Sequence, residues 1–236
     1  MAQSDLAGCG RRDRRVVKNM REQIIQKIKE EKLIAIVRGI MPELCLKVAQ
    51  ALYDGGVRFM EITYNQNAPE SWIQTAEAIQ AVAEAFDGRM FVGAGTVTNV
   101  ELVEMTYSHK GQYIISPDTD IDVIKRTREL NMVSMPGAMT PSEIKQAYDA
   151  GADFVKLFPA GILGPNYLKA VKAPLNHIPI LAVGGISDKN VQEFLAAGAE
   201  GFGIGGNLAK KAWIDAGEFH KLTEAAMATV AAIKGE

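Results

Sequence analysis

Residues Leu33 to Glu43 read LIAIVRGIMPE, a five-residue apolar run followed by arginine and glycine and then by proline and glutamate. A short apolar run bounded by polar and turn residues predicts a buried strand. Proline and a carboxylate in a first turn are typical of the start of a helix. The stretch therefore predicts one strand followed by one helix, and the same unit recurs along the chain.

Eight strands are predicted from such runs, each separated from the next by a helical stretch. They are Leu33–Val37, Arg58–Thr63, Met90–Ala94, Tyr113–Ser116, Met132–Pro136, Phe154–Leu157, Ile180–Val183 and Gly201–Ile204. Strands that alternate with helices form parallel sheets with right-handed crossovers, and eight such units predict a closed (β/α)8 or TIM barrel of the α/β class. An open doubly wound sheet is the alternative, but eight units without a long insertion favour closure.

Helix boundaries agree with this architecture. Thr140, Pro141 and Glu143 predict a capped helix start, with threonine as the N-cap and glutamate in the third helical position. Before the first strand, apolar residues spaced by three and four over Val17–Glu31 predict an amphipathic helix. No linker interrupts the units, so we expect one barrel domain over residues 20–236. A basic leader at residues 1–19 precedes it and is predicted to be disordered or foreign to the natural chain.

The charge of the chain is unevenly distributed. The 236 residues carry a net charge of −2, with 47% hydrophobic and 23% charged residues, which is typical of a soluble globular protein. Residues 1–21 hold six basic and two acidic side chains, a local charge of +4, which leaves −6 for the rest of the chain. An acidic body argues against a nucleic-acid-binding surface.

The two cysteines and the lack of long apolar segments argue against a disulfide-rich, metal-binding, secreted or membrane-spanning protein. Cys9 and Cys45 have neither CxxC spacing nor a histidine cluster nearby, so we expect no disulfide scaffold, no metal site and no cofactor. Residues 1–20 lack the apolar segment of a signal peptide, and no run of about 18 apolar residues is present that would span a membrane. These features predict a cytoplasmic protein without a membrane partner.

The predicted strand Phe154–Leu157 contains Lys156 in the middle of an apolar run that Pro159 closes. Buried strands rarely hold an ammonium group. Burial disfavours the charged form of lysine and lowers its pKa, and the neutral amine is the nucleophile that condenses with carbonyls. Lys156 is therefore a candidate Schiff-base lysine. The alternative is a lysine at a strand end whose ammonium reaches solvent or pairs with a carboxylate.

Glu61 is the acidic residue at the carboxyl end of a predicted strand, where the active site of a (β/α)8 barrel forms. Beside a Schiff-base lysine, a carboxyl with a raised pKa would move protons on and off a carbinolamine and a substrate hydroxyl. The alternative is a structural ion pair with Lys156 or Arg38.

Other side chains at the strand ends suit a small anionic substrate. Arg38 follows the first strand and would grip a carboxylate in bidentate fashion, or else form a salt bridge to Glu61. Thr96 follows a Gly-Ala-Gly run and would offer its hydroxyl to the same carboxylate, or else take part in an ordinary turn. Pro117 and Phe158 would supply apolar walls that desolvate the lysine.

Two glycine-rich loops follow the seventh and eighth predicted strands. They contain Gly184-Gly185 and Gly205-Gly206-Asn207. Loops at these positions often hold a phosphate in this fold, because glycine lets a ligand approach the backbone amides closely. The alternative is a pair of tight turns that need positive φ angles.

Several motifs at these strand ends occur in order along the chain. They are LIAIVRG at 33–39, EIT at 61–63, VGAGTV at 92–97, ISP at 115–117, MPG at 135–137, FVKLFPA at 154–160 and VGGI at 183–186. From about residue 21 to the C-terminus, this pattern resembles the KDPG/KHG aldolase family, that is, the 2-keto-3-deoxy-6-phosphogluconate and 4-hydroxy-2-oxoglutarate aldolases.

The resemblance implies a class I, metal-independent aldolase that splits a 2-keto-3-deoxy-6-phospho sugar acid into pyruvate and glyceraldehyde 3-phosphate. It also implies a homotrimer and a cytoplasmic sugar-acid pathway of the Entner–Doudoroff type. By position, Lys156 would form the imine, Glu61 would be the general acid and base, and Thr96 would hold the pyruvyl carboxylate. The pocket would be lined by Pro117 and Phe158, and the phosphate would be bound by Gly184, Gly185 and Gly206.

Two positions depart from the gluconate-cleaving members. Asn65 stands where those enzymes have an arginine, and Val183 stands where they have a threonine. Both residues resemble the branch that cleaves the galactonate epimer, in which the arginine equivalent to Arg38 contacts substrate. Tyr64 and the Gly206-Asn207 pair match neither branch cleanly, so dual activity stays open.

Three alternatives remain at this stage. An aldolase for 4-hydroxy-2-oxoglutarate would use the same lysine and glutamate. A phosphosugar isomerase or epimerase would use a glutamate base and the phosphate glycines, but would not need a lysine inside an apolar strand. A non-catalytic sugar-phosphate binder would keep the glycines and could lose either Glu61 or Lys156, both of which this chain retains.

Overall fold

Nine short parallel strands form one continuous sheet in the computed structural model, which describes residues 14–236, with side chains from residue 20 onward. The strands are β1 (Leu33–Val37), β2 (Phe59–Thr63), β3 (Phe91–Gly95), β4 (Tyr113–Ile115), β5 (Val133–Met135), β6 (Gly137–Ala138), β7 (Val155–Leu157), β8 (Ile180–Val183) and β9 (Gly201–Ile204). Their order in the sheet is β5-β4-β3-β2-β1-β9-β8-β7-β6. The sheet therefore begins and ends on two segments that are neighbours in the chain.

Pro136 alone separates β5 from β6. The predicted fifth strand, Met132–Pro136, agrees with β5 to within one residue at either end and does not include β6. A proline has no amide hydrogen to donate to a ladder. Its carbonyl still accepts from the Lys156 amide at 2.8 Å, and from that point the chain pairs with β7 instead of β4. Taken together, β5 and β6 are the fifth strand of a (β/α)8 barrel, and the predicted TIM-barrel class is confirmed. The other predicted strands differ from those observed by at most one residue at either end.

The helices surround the sheet. They are α1 (Arg14–Glu31), α2 (Pro42–Asp54), α3 (Trp72–Ala85), α4 (Val100–Ser108), α5 (Ile121–Glu129), α6 (Pro141–Asp149), α7 (Ala160–Leu163), α8 (Pro165–Lys172), α9 (Val191–Ala196), α10 (Lys211–Asp215) and α11 (Phe219–Lys234), with a 3-10 turn at Pro69–Ser71. The predicted capping box is present in α6: the Thr140 hydroxyl accepts from the Glu143 amide at 3.3 Å, and the Glu143 carboxylate accepts from the Thr140 amide at 2.7 Å.

Two apolar layers fill the structure. The outer layer packs the helices on the barrel, and the inner layer fills the barrel itself with side chains such as Phe59, Phe154 and Leu181. Ile24 and Ile28 of α1 belong to this inner layer, so α1 closes the amino-terminal end of the barrel. The predicted amphipathic helix is confirmed.

The start of α1 differs from expectation. It begins at Arg14, three residues before the predicted Val17 and inside the predicted leader, and the Met20 side chain is exposed instead of packed. The rest of the predicted leader, residues 1–13, lies outside the described residues. Within the described part of the chain, no helix has the length and apolar character needed to cross a bilayer.

A buried ion pair fastens α1 to the barrel. The Arg21 guanidinium donates to the Asp153 carboxylate, which also accepts from Arg128 at 3.0 Å and from the Ser134 amide at 2.9 Å. Burial raises the pKa of Asp153, while the Ser134 amide and the charge of Arg21 act against that rise. The Asp153 carboxylate thus accepts hydrogen bonds from three donors in different parts of the chain.

Replacing Arg21 by alanine removes one of these donors and leaves Asp153 less compensated in its buried position. We expect the free energy of unfolding to fall by about 1–3 kcal/mol in urea titrations. Lys27→Ala is the matched control on the same helix, because its pair with Glu30 is exposed. That change should leave the free energy of unfolding almost unchanged. Equal losses of unfolding free energy in the two variants would show that the pair of Arg21 and Asp153 adds no more stability than an exposed pair.

Candidate active site

Lys156 and Glu61 both point into the barrel near its carboxyl end. Lys156 alternates with Val155 and Leu157, which face the helices, and the same alternation directs Glu61 inward from β2. The side chains are deeply buried, with residue exposures of 7% for Lys156 and 2% for Glu61. The predicted pair of lysine and carboxyl therefore lies in one apolar interior.

The environment of Lys156 favours its neutral amine. Burial lowers the pKa of Lys156, the charge of Arg38 lowers it further, and the carboxylates of Glu61 and Asp118 act in the opposite direction. The Lys156 Nζ atom lies 5.1 Å from the centre of the partly exposed Phe158 ring. Such an amine is available as a nucleophile at lower pH than an exposed lysine.

The environment of Glu61 favours its protonated form. Burial raises its pKa, and the positive charges of Lys156 and Arg38 lower it. Its Oε1 atom occupies the space that a Cβ atom on Gly95 would fill. Its Oε2 atom is buried and has no hydrogen-bond partner among the described residues. A carboxyl in such a site is able to hold a proton to higher pH than an exposed carboxyl and to release it to a substrate.

Arg38 and Thr96 meet above this pair. The Arg38 Nη2 atom donates to the Thr96 hydroxyl at 3.3 Å, although 58 residues separate them in the chain. Thr96 has a φ angle of 58°, a left-handed conformation that is rare for a β-branched residue. The Gln66 amide holds this loop by donating to the Thr96 carbonyl at 2.8 Å. The guanidinium and the hydroxyl can therefore bind one carboxylate together.

Pro117 and Asp118 lie at the end of β4, beside Gly137 and close to Lys156. A Cβ atom on Gly137 would collide with the Pro117 carbonyl, so glycine is needed there for the two strands to approach. The negative charge of Asp118 acts on Lys156. Sequence reasoning included Pro117 and missed Asp118. Asp118 directly follows the Ser-Pro pair at a strand end, and this position in the sequence could have identified it as a site residue.

The two glycine loops touch each other and the start of α7. Gly184 and Gly185 have φ angles of 86° and 77°, and the Gly184 carbonyl accepts from the Gly161 amide at 2.7 Å. The Asn207 side chain donates to the Ile186 carbonyl at 3.0 Å and so joins the two loops. No hydrogen bond found among the described residues is donated by the amides of Gly185 or Gly206. These amides are placed to meet an anion, although turns rather than helix starts follow them.

A cavity of about 360 Å³ lies next to Arg38, between the ends of β1 and β2 and the helices α2 and α3. Its wall includes Arg38, Thr63 and Asn65. Asn65, one of the two positions that depart from the gluconate-cleaving pattern, thus lines space that opens beside Arg38. No group of three His, Cys, Asp or Glu side chains in the described chain is arranged to hold a metal ion.

This constellation matches a known family. The family model described as KDPG and KHG aldolase matches residues 24–225, a range that contains both Glu61 and Lys156. The chain belongs to the KDPG/KHG aldolase family. It is accordingly an aldehyde-lyase, which cleaves a carbon–carbon bond.

Individual relatives cover nearly the whole barrel of this aldolase. A probable 2-dehydro-3-deoxy-6-phosphogalactonate aldolase from Rhizobium meliloti (strain 1021) is 36% identical over 207 residues, which are 87% of this chain and 94% of the relative. The 2-dehydro-3-deoxy-6-phosphogalactonate aldolase of Escherichia coli (strain K12) is 36% identical and covers 75% of this chain and 83% of its own. A solved structure titled "Native KDPGal structure" superposes with a TM-score of 0.78 at 34% identity, covering 86% of this chain and 94% of the other.

Gly95→Ala tests the placement of Glu61, because a methyl group at Gly95 would displace the carboxyl from its observed position. We expect kcat for aldol cleavage to fall toward that of Glu61→Gln, which removes proton transfer and should cost at least about 10²-fold. Gly88→Ala is the control, since Gly88 has a positive φ angle but open space around it. It should cost some stability and leave kcat unchanged. An unimpaired Gly95→Ala enzyme would contradict the proton-transfer role of Glu61.

Proposed function

We propose that the protein is a class I aldolase that cleaves a 2-keto-3-deoxy-6-phospho sugar acid, preferentially the galactonate epimer, into pyruvate and glyceraldehyde 3-phosphate. The observation that carries this proposal is the joint burial of Lys156 and Glu61 in one barrel interior. A lysine with a lowered pKa and a carboxyl with a raised pKa supply the nucleophile and the acid that imine chemistry needs.

The first steps form the imine. The neutral Lys156 amine attacks the C2 carbonyl of the substrate, and the resulting carbinolamine loses its hydroxyl as water after Glu61 has protonated it. The product is a protonated imine, whose positive charge can accept an electron pair. Glu61 has given up its proton and is now a carboxylate. Over the two steps a carbon–nitrogen double bond replaces the carbon–oxygen double bond, and the oxygen leaves as water.

The cleavage step follows from this charge distribution. The Glu61 carboxylate takes the proton of the C4 hydroxyl, the bond between C3 and C4 breaks, and its electron pair neutralises the iminium to give an enamine. The aldehyde half leaves as glyceraldehyde 3-phosphate. Glu61 then returns its proton to C3, which makes the methyl group of pyruvate, and hydrolysis of the imine restores Lys156.

The remaining site residues bind the two ends of the substrate. Arg38 and Thr96 take the pyruvyl carboxylate, because they already meet at 3.3 Å. Pro117 and Phe158 form the apolar walls beside the lysine. At the other end, the phosphate lies against the amides of the two glycine loops, which comprise Gly184, Gly185 and Gly206, with Asn207 joining them.

The galactonate preference rests on Arg38 and Asn65 together with the relatives. Both residues line the cavity beside the carboxylate site. A substrate hydroxyl near Asn65 would therefore meet the Asn65 amide, whereas the gluconate-cleaving members have an arginine guanidinium at this position. Two relatives at 36% identity are named as 6-phosphogalactonate aldolases. Cleavage of 4-hydroxy-2-oxoglutarate would use the same chemistry without the phosphate contacts. An isomerase or epimerase would leave the buried lysine without a purpose.

We further propose that the protein works as a homotrimer in the cytoplasm, within a sugar-acid pathway of the Entner–Doudoroff type and without nucleic-acid or membrane partners. The family resemblance supports the trimer, and sedimentation analysis should give a mass three times the 25.6 kDa of the chain. A monomeric mass would remove this part of the proposal and leave the chemistry untouched.

Imine formation is tested by borohydride reduction in the presence of pyruvate. We expect a single reduced pyruvate adduct on Lys156, and neither adduct nor cleavage in Lys156→Met, because no other nucleophile replaces the buried amine. Intact-mass and peptide mass spectrometry make the measurement. Lys172→Met is the control, since Lys172 is also largely buried but lies in the outer helical layer next to Glu200. An adduct that survives in Lys156→Met would contradict the assignment.

The epimer preference is tested by measuring kcat/KM for both 6-phosphorylated epimers and for 4-hydroxy-2-oxoglutarate. We expect the galactonate epimer to be favoured by about tenfold or more, which corresponds to roughly one hydrogen bond to a hydroxyl group. Asn65→Arg should move the ratio toward the gluconate epimer. A wild-type ratio near one would indicate a dual enzyme, and a ratio in favour of gluconate would overturn the preference.

A further inference from the structure

Tyr113 is a phenol in the inner layer of the barrel, where its neighbours are otherwise apolar. Its ring packs 6.1 Å from that of Phe59, and Phe59 in turn stacks on Phe91 at 5.0 Å. A phenylalanine would make the same ring contacts without bringing a hydroxyl into this interior. The hydroxyl therefore needs a separate explanation, which the catalytic steps described above do not supply.

The register of the sheet places Tyr113 and Glu61 on either side of Gly93. Glu61 pairs with Gly93, and Ala94 pairs with Ile114, so Tyr113 stands beside Gly93 on the next strand. The Tyr113 ring occupies the space that a Cβ atom on Gly93 would fill. The ring thus lies across Gly93 and carries its hydroxyl toward β2, where Phe59 and Glu61 both point inward.

The hydroxyl and the carboxyl share an unusual status. Glu61 Oε2 and Tyr113 Oη are the two buried side-chain atoms without a hydrogen-bond partner among the described residues. Leaving a buried polar group unpaired is costly, so native structures seldom keep one without a function. Both atoms lie in the same interior, on strands separated only by β3.

The two groups also interact electrostatically. Burial raises the pKa of Tyr113, and the charge of Glu61 raises it further. The backbone amides of Gly93 and Met60 lie near the hydroxyl oxygen and lower the pKa, but they do not form hydrogen bonds to it. The phenol is therefore a neutral donor whenever Glu61 is charged. The charged groups that act on Glu61 from its other sides are Lys156 on β7 and Arg38 after β1.

We propose that Tyr113 is a positioning residue for Glu61, whose hydroxyl donates a hydrogen bond to the carboxylate during the part of the cycle in which Glu61 has given up its proton. The hydroxyl thereby stabilises the charged form of Glu61 between the proton transfers.

This inference rests on the proposed aldolase chemistry, and it is tested by a separate measurement, the pH dependence of proton exchange in pyruvate. A donor to the carboxylate lowers the pKa of Glu61, so its removal raises that pKa. The exchange of pyruvate methyl protons with solvent requires the carboxylate form, because Glu61 must take the proton from the imine. The exchange rate therefore falls as the pH drops through the pKa of Glu61.

Tyr113→Phe removes only the hydroxyl. We expect the acid limb of the pH profile for pyruvate proton exchange, followed by NMR in deuterated water, to move upward by roughly one pH unit. The melting temperature should be unchanged or higher, because an unpaired buried hydroxyl is lost. A purely structural role predicts the reverse: a lower melting temperature and an unmoved limb.

Tyr64→Phe is the matched control. Tyr64 is equally buried, but its hydroxyl pairs with that of Thr106 at 3.0 Å in the outer layer. The control should lose stability and keep the wild-type acid limb. A Tyr113→Phe profile that superimposes on the wild type, or moves to lower pH, overturns the inference. Borohydride trapping on the same preparations separates failure of this inference from failure of the proposed function. An adduct together with an unmoved acid limb removes this inference alone. No adduct in the wild-type protein removes the proposed function and the inference with it.

Discussion

The desolvation of Lys156 and Glu61 in one apolar interior is the constraint on which the rest of the site depends. Water would keep the lysine charged and the glutamate ionised, and neither form begins imine chemistry. Inside the barrel, burial acts on both groups toward their neutral forms, while their mutual attraction limits the shift. The barrel interior therefore favours a neutral amine and a protonated carboxyl in the same site, and Arg38 adds a positive charge that further disfavours the ammonium.

Space for this arrangement comes from β3, which reads Phe-Val-Gly-Ala-Gly. Glycine in a strand interior ordinarily weakens the strand, because it adds backbone entropy and contributes no side-chain packing. Here the volume left open at Gly93 and Gly95 is filled by Tyr113 from one neighbouring strand and Glu61 from the other. The neighbours thus supply the packing that β3 lacks, and the same glycines bring the two buried polar groups close together.

The opposite end of the barrel is closed to solvent, which keeps the interior apolar. α1 inserts Ile24 and Ile28 beneath the inner layer, and the ion pair from Arg21 to Asp153 fixes the helix there. The inner core therefore packs against α1 at one end of the barrel and extends toward the candidate active site at the other end. The open end holds the strained Thr96 loop and the paired glycine loops, which need the rigid barrel beneath them to keep their geometry.

The sequence alone determined the barrel, the starts of helices such as α2 and α6, and the strand positions of Lys156 and Glu61, because these depend on local patterns. Apolar runs predicted the strands, Thr140 and Glu143 predicted a cap, and the motif around Lys156 indicated the family. Only the tertiary structure decided how Pro136 divides a strand, that Arg38 meets Thr96, that Asp118 acts on Lys156, and that Tyr113 reaches toward Glu61 across Gly93. These features depend on the register of neighbouring strands and on contacts between residues far apart in the chain, which the periodicity of a single segment does not encode.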